Sequence, residues 1–149
     1  MMKQVKIEPV ALEVMKKDAV WSFPDECCGF IFGTDGEERI ITLAREVQNS
    51  KNGDKRRRFE ISPLQYMQAE RFAALSGLTL LGVYHSHPLH PAIASEHDRV
   101  VAMPFFSYVI LSTFPDGVVD VKSWQLDNNR HFIEEQVLLP LEDNVHPQG

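Results

Sequence analysis

The chain has 149 residues, 44% apolar and 24% charged, the values of an ordinary globular protein with enough length for one domain and its core. A formal net charge of −6 argues against a general nucleic-acid binder, and no apolar run approaches the ~20 residues of a membrane span. The only two cysteines, Cys27 and Cys28, are adjacent, which leaves no disulfide framework and points to a reducing cytoplasm; the N-terminus lacks the apolar core of a secretion signal.

Residues Val5 to Ile7 predict a short strand. From Pro9 the spacing of Leu12, Met15 and Ala19 predicts a helix, which should stop near Ser22 because Pro24 disfavours helix before it. Residues 24–33 predict a loop feeding a buried strand. Glu26 stands at their junction, where a carboxylate either reaches into a cleft or is simply solvated. Both cysteines read as small buried thiols. Thr34 to Glu37 is expected to turn, with Asp35-Gly36 as the hairpin signal. Arg39 to Val47 follows as a strand presenting Ile41, Leu43 and Val47 on one face apart from a small irregularity. The polar loop from Gln48 to Arg58 ends in the basic cluster Lys55–Arg58, a solvated face or a steering patch for an acidic partner.

Ser62, Pro63 and Gln65 form a capping box for a helix to about Leu75, with Leu64, Met67, Phe72 and Leu75 near one face and Gly77 ending it. Leu78 to Tyr84 is nearly all apolar, as in a central strand covered on both sides. The strand continues through His85 and His87 until Pro88 removes a ladder donor. Ser95 and Asp98 again carry helix-start chemistry, for a short helix to about Met103. Tyr108–Ser112 and Val118–Trp124 are strands joined at Pro115-Asp116-Gly117, and His131–Leu139 is a last strand or edge segment. The tail from Pro140 is expected to fray, leaving a domain of 1–139 and a flexible segment of 140–149. Strands mixed with three helices indicate one α/β domain with a mixed sheet between helical layers.

His85 and His87 are two residues apart on a strand, so their imidazoles share a face with Cα atoms roughly 6.6 Å apart. That is close enough for one metal ion, and Asp98 can supply a third ligand. Catalytic zinc typically takes three protein ligands from His and Asp/Glu and keeps a fourth place for water. Taken alone, the same residues are also compatible with a His-rich surface loop. His90 and His97 read as rim histidines; His97 projects about 100° away from Asp98 on the helix. His131 and His146 lie outside the pattern.

The set Glu26, then His85-Ser86-His87 followed by Pro88, then Ser95 with seven residues between it and His87, and Asp98 after two more, resembles the JAMM (MPN+) metalloprotease family. Residues 26–33 are similar to the family's first motif strand, and Asn49 and Phe59–Pro63 resemble the segments linking its motifs. Similarity of order extends over residues 5 to 125. The resemblance implies a single-domain α–β–α sandwich with a mixed sheet, related to the layered fold of cytidine deaminases. It implies one Zn²⁺ held by His85, His87 and Asp98, with Glu26 as general base and then acid, and Ser95 as oxyanion donor. An N-cap role for Ser95 is compatible, because its proton stays free.

Asp98 is followed at once by a short helix and strand, which leaves no room for a long second insertion, and the Lys55–Arg58 loop is short. In this the sequence resembles the compact prokaryotic branch of the family. That implies a ubiquitin-like or sulfur-carrier protein as substrate, cut after its C-terminal Gly-Gly, and a homodimer is an expectation from the resemblance alone. A non-catalytic MPN scaffold is the alternative of another class, but such members usually lack ligands that are complete here. A zinc deaminase would need a Pro-Cys-x-x-Cys pair, which the sequence does not contain. A zinc peptidase with another peptide substrate is the remaining alternative.

Overall fold

In the computed structural model residues 3–56 and 58–141 are described. Arg57 of the basic cluster, His146 and the tail from residue 142 lie outside them, so the expectation of a frayed terminus does too. The chain runs β1 (Gln4–Ile7), α1 (Pro9–Ser22), β2 (Cys28–Asp35), β3 (Arg39–Val47) and α2 (Pro63–Ser76). It continues through β4 (Thr79–Pro88), α3 (Glu96–Val101), β5 (Ser107–Phe114), β6 (Gly117–Leu126) and β7 (Phe132–Leu138).

The strands form one mixed sheet in the order β1-β3-β2-β4-β5-β6-β7, which curls until β1 also pairs with β7 and closes it. β1 is parallel to both its neighbours and β4 is parallel to β5; the other pairs are antiparallel. β7, expected as a last strand or edge, therefore has partners on both sides. No helix of the described residues is long and apolar enough to cross a membrane.

Helices cover both faces of the sheet. α1 begins with Pro9 at its first turn, where a missing N–H costs nothing, and buries Ala11, Leu12, Met15 and Ala19 against Ile31, Ile41, Leu81, Val109 and Leu111. α2 covers the opposite face, over Phe30, Phe32, Leu80 and Val83. It starts at the Ser62–Gln65 capping box and ends at Gly77, whose φ of 68° suits a residue without a Cβ. The face of α2 is not the expected one. Ala69 and Ala73 are buried, with Tyr66 and Phe72 packed beside them, whereas Leu64, Met67 and Leu75 are exposed. Small residues let the helix lie close to the aromatic side chains of β2, and Phe72 meets Phe32 edge-on with ring centroids 5.0 Å apart.

Two bulges set which side chains reach which face. Opposite Phe32 and Gly33 stand Leu43 and Ile41, so Thr42 is an extra residue in β3. Ile41 consequently packs under α1, while Leu43 and Val47 pack with the α2 side, correcting the expectation of a single face. In β4, Gly82 and Leu80 pair with Ile31 and Phe32, leaving Leu81 as the extra residue. This flips the alternation, so Leu81 and Tyr84 face α1 and Val83 faces α2 with His85 and His87 behind it. A smaller correction concerns the hairpin turn: β2 extends to Asp35, leaving only residues 36–38 to turn.

At the end of the sheet away from those histidines, Arg39 is buried with 1% exposure. Its Nε donates to Asp35 (3.0 Å), its Nη1 donates to the Ser107 hydroxyl (2.9 Å) and the Leu81 carbonyl (3.3 Å), and the guanidinium lies over the Phe105 ring. The charge is thus paired and hydrogen-bonded, the condition for burying it.

β4 and β5 pass so closely at Gly82 that a Cβ there would meet the Ser107 carbonyl oxygen. Gly82→Ala must therefore push the two central strands apart. It is expected to destabilise the protein by about 3 kcal/mol or more, as backbone clashes in a packed core do, in chemical denaturation at constant m-value.

Candidate metal and active site

The site begins with β4. His85 and His87 leave its end on one face, while Ser86 points the other way and accepts a hydrogen bond from the Cys27 N–H (2.9 Å). The Ser86 N–H in turn donates to the Cys27 carbonyl (3.2 Å), so the residues just before β2 are tied to the histidine strand. This attachment brings in Glu26. Its own N–H donates to the Lys55 carbonyl (2.7 Å), and its carbonyl accepts from Asn49 Nδ2 (3.3 Å). Asn49 also donates to the Arg58 carbonyl and accepts from the N–H groups of Lys51 and Glu60. The loop before α2, which in sequence is only polar, is thus a clamp on the backbone of Glu26. Both cysteines are buried free thiols, as expected, and burial pushes both their pKa values up.

Asp98 arrives from α3. The Ser95 hydroxyl accepts from the Asp98 N–H (3.0 Å) while Asp98 Oδ2 accepts from the Ser95 N–H (2.9 Å), a reciprocal capping box. The cap holds the carboxylate oxygen toward the histidines, 3.2 Å from His87 Nε2 and 3.5 Å from His85 Nε2. The two Nε2 atoms are themselves 3.2 Å apart. All three residues are buried.

The donor set fits a metal ion. His87 Nδ1 lies 2.9 Å from the Pro91 carbonyl, which can only accept, so the ring proton sits on Nδ1 and the Nε2 lone pair faces inward. Pro91 is held by its neighbours: the Leu89 N–H donates to the Thr113 carbonyl, Ser112 Oγ to the His90 carbonyl, and Trp124 Nε1 to the Ala92 carbonyl. His85 is stacked under Phe59 with centroids 4.5 Å apart. One ligand atom from each of His85, His87 and Asp98 can be chosen within 4.8 Å of the others, an arrangement that could hold one metal ion. Two imidazoles and a carboxylate suit zinc and other borderline divalent ions.

The cluster opens on a cleft of about 580 Å³ lined by Glu26, His87, His90, Pro91, Ile93 and Ser95. The sequence-predicted residues thus come together from three elements: Glu26 from the loop before β2, the histidines from β4, and Ser95 and Asp98 from the cap of α3. His90 is on the rim and His97 is outside the cluster. Sequence reasoning missed Phe59, the Pro91 carbonyl and the clamp by Asn49. Phe59 and Asn49 lie in segments whose family likeness was visible, but no local pattern shows what they touch.

The electrostatics divide the carboxylates. Burial pushes Glu26 up to about 8, with Asp98 adding to the rise and His87 and Arg58 opposing it. Burial acts on Asp98 as well, but the imidazoles and the Ser95 N–H outweigh it and hold this carboxyl well below the usual range. His85 is lowered, mainly by burial against the opposing pull of Asp98. A buried acid poised near neutrality beside a fixed anion is the pattern expected where protons are exchanged.

The comparisons with known proteins agree with this geometry. Residues 8–127 match the family described as prokaryotic homologues of the JAB domain. A desampylase of Haloferax volcanii is 32% identical over 108 residues, covering 72% of this chain and 75% of that protein. A probable TtuB-protein conjugate cleaving protease of Thermus thermophilus is 32% identical over 107 residues, covering 72% and 68%. In a solved structure of a Desulfitobacterium hafniense protein the fold superposes with a TM-score of 0.79 at 28% identity, covering 97% of this chain and 99% of the other. The chain belongs to the prokaryotic JAB-domain family, in the JAMM/MPN group. It is an enzyme, a protein-cleaving hydrolase, as its named relatives are.

The raised pKa of Glu26 has a measurable consequence in metal-free protein. A group whose pKa is higher folded than unfolded contributes stability below its unfolded value of 4.5 that is lost as pH rises through about 8. Glu26→Gln removes this titration. Metal-free Glu26→Gln protein should be more stable than the parent by on the order of 5 kcal/mol above pH 8, the gain vanishing toward pH 4.5. Denaturant melts of the two proteins across that range would check it.

Proposed function

We propose that the protein is a zinc peptidase that hydrolyses the amide bond after the C-terminal Gly-Gly of a ubiquitin-like or sulfur-carrier protein in a reducing cytoplasm. The observation that carries this is the buried His85–His87–Asp98 group opening on one cleft with Glu26 and Ser95. The named relatives support a conjugate as the substrate, one being called a desampylase and another a conjugate cleaving protease.

In this reading His85, His87 and Asp98 hold one Zn²⁺. When bound it supplies Lewis acidity to the attacking water and the scissile carbonyl. Glu26 takes the proton from the water and delivers it to the departing amine. Its high pKa favours the second task, and a nearby dication favours the ionised form needed for the first. Ser95 keeps its hydroxyl proton free while its oxygen accepts from the Asp98 N–H, so it can donate to the carbonyl oxygen as charge builds there. An extended tail of two glycines carries no side chains, so its backbone could approach the cleft closely.

The test joins a β-grasp carrier through its Gly-Gly to a short extension and weighs the products after incubation with zinc-loaded protein. Loss of the extension is expected, abolished by EDTA. Glu26→Gln should lower kcat by about 10²–10⁴-fold while keeping bound zinc, and Asp98→Ala should lose the metal. Ser95→Ala should lower kcat by roughly 10²–10³-fold at a stability cost of only ~1 kcal/mol. An intact carrier in the presence of stoichiometric zinc would remove the substrate from this proposal. Failure to take up zinc at all would remove the mechanism.

A further inference from the structure

Trp21, in the last turn of α1, is 89% exposed, more than any other large apolar side chain among the described residues. It does not stand alone. With Val14 and Val20 it lines an open depression of about 930 Å³, edged by Lys17, Asp18 and Glu46. Trp21, Asp18 and Glu46 also line a second groove of about 370 Å³, whose far side is Glu26 and Asn49. Glu26 in turn lines the catalytic cleft. Shared lining residues thus place the groove at the end of α1, with its exposed indole, next to the cleft that holds the proposed general base.

We infer that this surface docks the folded body of the ubiquitin-like protein whose tail lies in the cleft; the inference rests on the Gly-Gly carrier reading above. A Gly-Gly tail presents only backbone, so recognition of a particular carrier has to come from its body. The α1 surface has the anatomy of such a contact, an apolar centre with charged groups of both signs at the rim. Tryptophan is among the side chains most enriched at the energetic centre of protein interfaces. The groove also decides between occupants. Its link to the catalytic cleft through Glu26 favours an occupant whose tail must reach that cleft over a second copy of this chain, which has no such need.

The experiment uses the zinc-loaded protein and two substrates carrying one reporter after Gly-Gly: a tryptophan-free β-grasp carrier, and a short peptide with the carrier's tail sequence. Trp21→Ala is expected to raise KM for the carrier fusion by about tenfold or more, leaving kcat and cleavage of the tail peptide within about twofold. Trp21→Phe should recover most of the loss. Independently, adding the carrier to Glu26→Gln protein should shift tryptophan emission to the blue saturably. The shift should be absent from the Trp21→Ala, Glu26→Gln double variant, where only Trp124 remains. Equal losses on both substrates, no loss on the fusion, or emission indifferent to the carrier would each overturn the inference. So would a dimer that Trp21→Ala converts to monomers, since the face would then belong to a second copy. If the parent protein cuts neither substrate, the Gly-Gly activity fails, and the emission titration alone decides whether the docking surface stands.

Discussion

Three electron-pair donors brought to within about 3.5 Å of one another, and buried, are the constraint around which this molecule is arranged. Two imidazole nitrogens and a carboxylate oxygen converge where water cannot screen them, the circumstance in which a cation is most strongly favoured. Each donor is aimed by a partner of its own. The Pro91 carbonyl orients His87, the Phe59 ring supports His85, and the Ser95 N–H holds Asp98. Much of the surrounding polar structure makes sense as support for those three contacts, from the hydrogen bonds on the 89–92 loop to the pairing of Cys27 with Ser86.

The sheet supplies the rigidity this requires. β4 is central, paired with β2 from Thr79 to His85 and with β5 from Gly82 to Pro88, and carries the histidines at one end while the buried Arg39 network secures the other. A site built on such a strand is positioned more accurately than one on loops alone. The proposed proton carrier is on a different footing. Glu26 sits in a connection, attached to β4 through Cys27 and to the polar loop through Asn49, so its position depends on two other segments. The short cap of α3 does double duty, since one turn of chain orients Asp98 and leaves the Ser95 proton free. Substrate selection is proposed to lie elsewhere again, on the outer surface of α1. In this proposal metal binding, proton transfer and recognition fall to different elements of the fold.

Much of this was legible in the sequence because it follows from local rules. Pro9, the Ser62–Gln65 box, Gly77 and the Ser95–Asp98 box marked helix ends through backbone chemistry that any context preserves. The alternation of a strand put His85 and His87 on one side, and the spacing to Ser95 and Asp98, with Glu26 far upstream, identified the family and hence the fold. Only tertiary structure could decide the rest. Which face of α2 is buried depends on how closely the helix approaches β2, and there Ala69 and Ala73 displaced the larger Leu64, Met67 and Leu75. The faces of β3 and β4 depend on single extra residues, Thr42 and Leu81, whose presence is defined by the partner strand and not by their own sequence. Asn49, Phe59 and Pro91 act through contacts with residues distant along the chain or through a backbone carbonyl, which composition does not register. The kinds of groups in the site were thus determined by the sequence itself; their mutual distances, their burial and the exposed Trp21 beside them were decided by packing, because burial and convergence are properties of the whole chain folded against itself.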